Sequence, residues 1–431
     1  MRTAIFLPAK GNSERIKNKN IFNLDGMPLF LITLDKIIKS GLFDEVWLDS
    51  ESPEIHKMAD HLNCLRLHRD PALATNAADG NGMFLNEVRH TEADIIVQIL
   101  CTSPFIAPGT LKKGLDVLMS GSEYDSVVLV RKDKRYEWTE SGPGYDCAHI
   151  PNSVDLPWIY SETMGLYMVR REAALKTGRR IGEKPYLLEA SPLEAVDLND
   201  PEDLPLAEAI AAGMRERARS RFAMLAVHFS SPMLSDIMDD LGVRGVISSL
   251  KPNLRRSRIL GRAFTLHLRP LRSGEDYSGI YKTLESYNHI TPGDVIMVQN
   301  DCPNYAYFGE LNANMAVKAG AAGAVIGGMT RDSAAVSEIG FPVFARGVCC
   351  ADVRKRATCD SYGKKIVING IEINRGDLIF ADREGVIVFP FEWEARILER
   401  ALEAFVKEHS IIANIMSSQN YNDLYSRFGG F

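Results

Sequence analysis

Ala4-Ile5-Phe6-Leu7-Pro8-Ala9-Lys10-Gly11-Asn12-Ser13-Glu14-Arg15-Ile16-Lys17-Asn18-Lys19-Asn20 runs from four apolar residues into a loop that holds four cations and one glycine. Residues 4–7 read as a buried strand, because strands covered on both faces are continuously rather than alternately hydrophobic. A helical pattern begins near Pro28. A loop leaving the carboxyl end of a parallel strand sits where open α/β sheets bind ligands. Its N–H groups, with Lys10, Arg15, Lys17 and Lys19, suit a polyphosphate. A solvated basic loop has the same composition, so the surrounding chain decides between the two.

Outward from that loop, strand and helix patterns alternate. Leu31, Leu34 and Ile38 fall at helical spacing, and Gly41 closes the helix. Residues 45–49 read as a strand, 53–61 as a helix, 64–67 as a strand, and 94–100 as a near-continuous apolar run suited to a central parallel strand. The expected fold is α/β, a doubly wound, mostly parallel, Rossmann-like sheet.

At 431 residues the chain exceeds what one core holds, so two or three domains are expected. A net charge of −6 argues against nucleic acid or an anionic membrane as bulk partners and leaves anion binding to local basic loops. Cys64, Cys101, Cys147, Cys302, Cys349, Cys350 and Cys359 are odd in number and scattered, without a C-x-x-C pair, and read as free thiols in a reducing compartment. The start of the chain enters a strand without a signal-type apolar region, and no apolar run approaches a membrane span. A cytoplasmic protein is the expectation.

The order Pro-Ala-Lys-Gly-Asn-Ser-x-Arg-Ile-x-x-Lys-Asn-Ile, from Pro8 to Ile21, resembles the nucleotide-binding signature of cytidylyltransferases that activate acidic sugars, the CMP-sialic acid and CMP-Kdo synthetases. Arg69-Asp70-Pro71-x-Leu73-Ala74, the Thr102-Ser103-Pro104 turn, the Ser161-to-Tyr167 stretch and the Asp197-Leu198-Asn199 stretch extend the likeness. The resemblance implies a nucleotidyltransferase that takes CTP and contacts it through Pro8, Ala9, Lys10, Gly11, Ser13, Asn20, Arg69, Thr102 and Ser103. Lys10, Arg15 and Lys19 would cradle the triphosphate as the catalytic cations, and Glu162 would line the sugar pocket. It also implies Mg²⁺ on Asp197, with Asn199 two positions on; alternate residues of a strand end share a face and so point at one ion.

The cytidylyltransferase domain is expected over residues 1–212. Residues 213–222, carrying Arg215, Arg217, Arg219 and Arg221 around Glu216, read as an Arg-rich solvated connector. A second domain follows over residues 223–410, and 411–431 read as a C-terminal tail. Residues 232–242 form a helix closed by glycine, and strands enter through glycine turns at Gly261 and Pro292-Gly293-Asp294. Then come Gly309-Glu310-Leu311-Asn312 opening a helix, Gly327-Gly328-Met329-Thr330-Arg331-Asp332, Phe341-Pro342-Val343, and Arg375-Gly376-Asp377.

These ordered motifs resemble the RraA-like family, which includes metal-dependent 4-hydroxy-4-methyl-2-oxoglutarate aldolases and oxaloacetate decarboxylases. Cleaving the C–C bond beside a 2-keto acid yields a pyruvate enolate that needs a cationic clamp and a metal at the oxyanion. Arg331 can fork onto the carboxylate and enolate oxygens. The resemblance implies Asp332 as the anchor for Mg²⁺ or Mn²⁺. The amides of Gly309, Glu310, Leu311 and Asn312, at a helix N-terminus, suit a substrate carboxylate, and Glu310 is placed to orient metal-bound water.

The leading expectation is a bifunctional enzyme. One half would be a CTP-dependent cytidylyltransferase making a CMP-activated 2-keto-3-deoxy sugar acid and releasing pyrophosphate; the other would be a divalent-metal-dependent 2-keto acid aldolase or decarboxylase. The alternatives are a phosphonate acceptor, or an RraA-like half that is a non-catalytic oligomerisation or regulatory module. Homo-oligomers, trimeric or hexameric through the C-terminal domain, are implied by the family.

Overall fold

The computed structural model describes residues 1–13, 15–60, 62–75, 79–417 and 420–429. Glu14 of the basic loop, His61 at the expected helix end, and Gly430 and Phe431 of the tail lie outside them. The chain forms two compact units, Met1–Ala212 and Gly213–Phe431.

In the first unit β1 (Thr3–Pro8), β2 (Glu45–Ser50), β3 (Leu65–His68), β4 (Ile95–Ile99), β5 (Ser126–Asp133), β6 (Ile159–Arg170) and β7 (Pro185–Glu189) form one sheet, ordered β7-β5-β6-β4-β1-β2-β3. All run parallel except β6, which is antiparallel to both β4 and β5. Every residue of β1 is buried. Ile5 and Leu7 pack with Leu29, Leu34 and Ile37 of the helix Leu29–Ser40, while Ala4 and Phe6 pack with Phe84 and Val88 of the helix Gly80–Val88. Cover on both faces is why the run is continuously apolar. Gly41 ends the first helix at φ +61°, a conformation that favours glycine.

The second unit is built on β8 (Val246–Ile247), β9 (Lys251–Pro252), β10 (Ile259–Pro270), β11 (Val295–Asn300), β12 (Gly323–Ile326), β13 (Val343–Ala345), β14 (Ala357–Tyr362), β15 (Leu378–Ala381) and β16 (Val386–Phe389). Their order is β8-β16-β15-β10-β11-β12-β13-β9, with β14 paired to β10. The centre, β10 to β13, is parallel. Just beyond β11, β12 and β13 the chain makes short strands, Ala306–Phe308, Met329–Thr330 and Gly347–Val348, that pair parallel in a separate small sheet. That small sheet carries the Gly309 and Arg331 segments.

Residues 213–222 lie inside the helix Asp203–His228, and 411–416 lie inside the helix Phe391–Met416. Among the described residues no helix is long and apolar enough to cross a membrane.

Candidate active sites

The basic loop after β1 borders a cavity of about 810 Å³, lined in part by Pro8, Lys10, Ser13, Arg15, Lys19, Asn20, Arg69 and Thr102. Its position at the carboxyl ends of β1 and β4 follows from the parallel sheet. Asn20 is buried and shapes the loop: its Nδ2 donates to the Lys10 carbonyl at 2.8 Å, and its Oδ1 accepts from Cys101 Sγ at 3.1 Å. Burial pushes the Cys101 thiol up to about 12, so this cysteine stays a neutral donor. Lys19 Nζ donates to the Leu198 carbonyl at 2.9 Å. Its pKa is lowered by burial first and by Arg15 second.

Three of the expected nucleotide contacts do not line the cavity. Ala9 is buried, with its N–H given to the Asp49 carbonyl at 2.9 Å. The Gly11 N–H goes to Glu51 Oε1 at 2.6 Å, and a Cβ there would sit 2.7 Å from that of Ser52. Gly11 is therefore needed for close packing, and its N–H is already taken by Glu51. Ser103 is buried and its hydroxyl donates to Asp197 Oδ1 at 3.3 Å. These three residues shape the wall from behind.

Asp197 and Asn199 lie in an irregular segment, not at a strand end. They still meet: Asn199 Nδ2 donates to Asp197 Oδ2 at 2.7 Å, while Asn199 Oδ1 accepts from Arg15 Nη2 at 3.1 Å. Turning the amide over would set its oxygen against a carboxylate and its NH₂ against a guanidinium, so the neighbours fix the orientation. Asn199 thus bridges Arg15 and Asp197, and the metal expectation rests on Asp197 alone. Among the described residues no three His, Cys, Asp or Glu side chains are arranged to hold a metal. A lone carboxylate fits Mg²⁺ all the same, since that ion keeps waters and binds through one or two carboxylates plus substrate phosphates.

The Thr102-Ser103-Pro104 turn is held from two sides. The Leu198 N–H donates to the Thr102 carbonyl at 2.9 Å, and Lys36 Nζ donates to the Pro104 carbonyl at 2.7 Å. Burial brings Lys36 down to about 8, with Glu194 opposing. Glu162 does not line the cavity. It sits at a bulge of β6, where Met164 has φ +60°, accepts from the Tyr167 hydroxyl and lies 3.9 Å from Arg180.

In the second unit Gly309, Glu310, Arg331 and Asp332 come together. The Glu310 N–H, first in the helix Glu310–Lys318, donates to Asp332 Oδ2 at 3.2 Å, and Arg331 Nε is 3.5 Å from the same oxygen. A Cβ on Gly309 would stand 2.4 Å from it. Asp332 adopts φ +52°, a left-handed conformation that costs an L-residue about 1 kcal/mol or more. Leu311 points outward at 75% exposure, and Asn312 Nδ2 donates to the Tyr307 carbonyl, so neither side chain joins the group.

Sequence reasoning missed Asp352, whose carboxylate lies 2.8 Å from Arg331 Nη1. It also missed Asp49 and Glu51, which anchor the basic loop. Asp49 and Ser50 end β2 and Glu51 follows it, and acidic residues at the carboxyl end of a parallel strand were the available signal.

The cytidylyltransferase family profile matches residues 4–215, and the aldolase/RraA profile matches residues 231–388. A provisionally named 4-hydroxy-4-methyl-2-oxoglutarate aldolase of Halalkalibacterium halodurans is 30% identical over 194 residues, covering 44% of this chain and 87% of that protein. N-acylneuraminate cytidylyltransferase A of Danio rerio is 28% identical over 210 residues, 46% of this chain and 48% of the relative. Protein DlpA of Legionella pneumophila is 26% identical over 195 residues, 44% of this chain and 31% of the relative. The chain thus spans about half of the fish protein and about a third of DlpA.

Proposed function

Because its second unit belongs to the aldolase/RraA family and its first is a cytidylyltransferase domain, we propose that the chain is a two-reaction enzyme. The first unit transfers CMP from CTP to an oxygen of an acidic acceptor, a 2-keto-3-deoxy sugar acid. The acceptor oxygen attacks the α-phosphorus, the bond to the α,β-bridging oxygen breaks, pyrophosphate leaves with the electron pair, and the acceptor's proton passes to the medium. Lys10, Arg15 and Lys19 hold the triphosphate and offset the charge that builds on the leaving group. Mg²⁺ held by Asp197 supplies further neutralisation of phosphate charge when bound. Asn20 keeps the loop in shape, and Arg69 fixes the nucleotide.

The observation that supports this reading is the convergence of three loop cations on one cavity at the carboxyl edge of the sheet, with Arg15 linked through Asn199 to Asp197. The test is pyrophosphate release from CTP and Mg²⁺ across Kdo, nonulosonates and phosphonates. Turnover with one sugar acid, reduced at least ~100-fold in Asp197→Ala, is the expected result. Turnover with a phosphonate alone moves the acceptor to that class, and no turnover with any acceptor overturns the reading.

The second unit breaks the C–C bond beside a 2-keto acid: the bonding pair passes into a pyruvate enolate, which takes a proton from the medium to give pyruvate, and the rest of the molecule leaves as carbon dioxide or, once its hydroxyl proton passes to the medium, as a carbonyl compound. Arg331 binds the carboxylate and enolate oxygens, and Asp332 would hold Mg²⁺ or Mn²⁺, which would supply positive charge for the developing enolate. A specific arrangement favours a second reading, a non-catalytic oligomerisation module: Arg331 is already paired with Asp352 and Asp332 with the Glu310 N–H. Pyruvate release that disappears in Arg331→Ala supports the lyase; no release from any 2-keto acid supports the module. A cytoplasmic homotrimer or hexamer is the expected assembly, and light scattering measures it.

A further inference from the structure

Behind Arg69 lies a chain of buried polar groups that the transfer reaction does not use. Arg69 is 3% exposed and lines the cavity; its Nε and Nη2 grip the Asp49 carboxylate at 2.8–3.1 Å, and Nη2 also reaches the Asp49 carbonyl at 2.9 Å. That carbonyl is the one that accepts the Ala9 N–H at the start of the basic loop. Nη1 has no hydrogen-bond partner among the described residues. Behind Asp49 stands Glu87, on the helix Gly80–Val88 and fully buried; its Oε2 accepts from Gln98 Nε2, on β4, at 2.7 Å. Glu87 Oε1 meets no N–H or O–H donor among the described residues and faces the Asp49 carboxyl group.

Two carboxylates and one guanidinium, all out of water, leave one negative charge unbalanced, which a core does not tolerate without a partner. The arrangement is satisfied when Glu87 is a neutral acid: Oε1–H then donates to Asp49, Oε2 accepts from Gln98, and Asp49 keeps its charge for Arg69. We infer that Glu87 carries a proton and, as a neutral acid, is a positioning residue that holds the buried Asp49–Arg69 pair in place behind the wall of the nucleotide cavity. The charged groups facing Glu87 are Asp49 on β2 and Arg69 after β3; burial and Asp49 push its pKa well up, while Gln98 and Arg69 pull the other way. The nucleotide part of this inference rests on the CTP reading of the cavity; the proton on Glu87 does not.

The test uses the full chain and two substitutions, Glu87→Gln and Glu87→Met. In the infrared difference between wild type and Glu87→Gln at neutral pH, a protonated-carboxyl carbonyl band belonging to the wild type is expected. In calorimetric titration with CTP, Glu87→Gln, which still donates to Asp49, is expected to bind within about twofold of wild type, and Glu87→Met to bind roughly tenfold more weakly. Absence of the band overturns the inference even if Glu87→Met fails to fold. So does a folded Glu87→Met that binds CTP as wild type does. A band in a wild type that binds no CTP keeps the proton on Glu87 and overturns the nucleotide reading instead.

Discussion

Lys36 extends from the helix Leu29–Ser40 to the Pro104 carbonyl and is largely buried. Burial disfavours the charged form, so the folded protein releases this proton near pH 8 while the unfolded chain holds it to about 10.5. Between those values the unfolded state binds more protons, and stability therefore rises with pH across the window. Below it both states are charged and the folded one bears a cost of up to about 3 kcal/mol. Urea unfolding of wild type and Lys36→Met at both ends of the window checks this: the difference is expected to shift toward wild type as pH rises. A flat difference would mean that the ammonium is solvated. The same turn carries Ser103, which touches Asp197, so the lysine supports the transfer site without lining it. Asn199 teaches a related point: the sequence supplies the type of side chain, but only its two neighbours show that its oxygen is taken by Arg15.

At the scale of elements, the helix Glu310–Lys318 begins against the Arg331–Asp332 turn with no room for a methyl group on Gly309. Gly309→Ala is expected to push the Asp332 carboxylate off the Glu310 N–H, lower stability by about 1–3 kcal/mol and depress any pyruvate release more than Leu311→Ala does; thermal unfolding and the lyase assay read the two effects. The parallel sheet was legible because residues 4–7 of β1 are apolar on both faces and β4 is so except for Gln98, and Gly41 and Gly242 close helices where the sequence placed them. The motif order also brought Gly309 to Arg331, although they come from different strands of the small sheet. What remained hidden was the set of long-range partners: Asp352 for Arg331, Asp49 for Arg69 and Glu51 for the Gly11 N–H. Periodicity reports which face of an element is buried, not which polar atom closes a hydrogen bond across the sheet. The Asp197 segment failed as a strand because the acids and turn formers from Asn199 to Asp203 follow it at once and leave no period to read.

For the whole chain, the two units have separate cores and separate candidate sites. Asp197→Ala is expected to leave 2-keto acid cleavage within about twofold of wild type, and Arg331→Ala to leave pyrophosphate release equally intact, since each alters the site of its own unit and independent sites behave additively. Loss of both activities from one substitution would show that the sites are coupled. Point variants are the right instruments here, for a reason that lies in the helix Asp203–His228. The division between the units, at Ala212 and Gly213, falls within that 26-residue helix rather than in a loop. Domains are ordinarily joined by exposed flexible linkers, which proteases cut. A truncation at this join severs a helix and strips both fragments of hydrogen-bonded turns, so the halves are poorly separable by scissors, whether enzymatic or genetic.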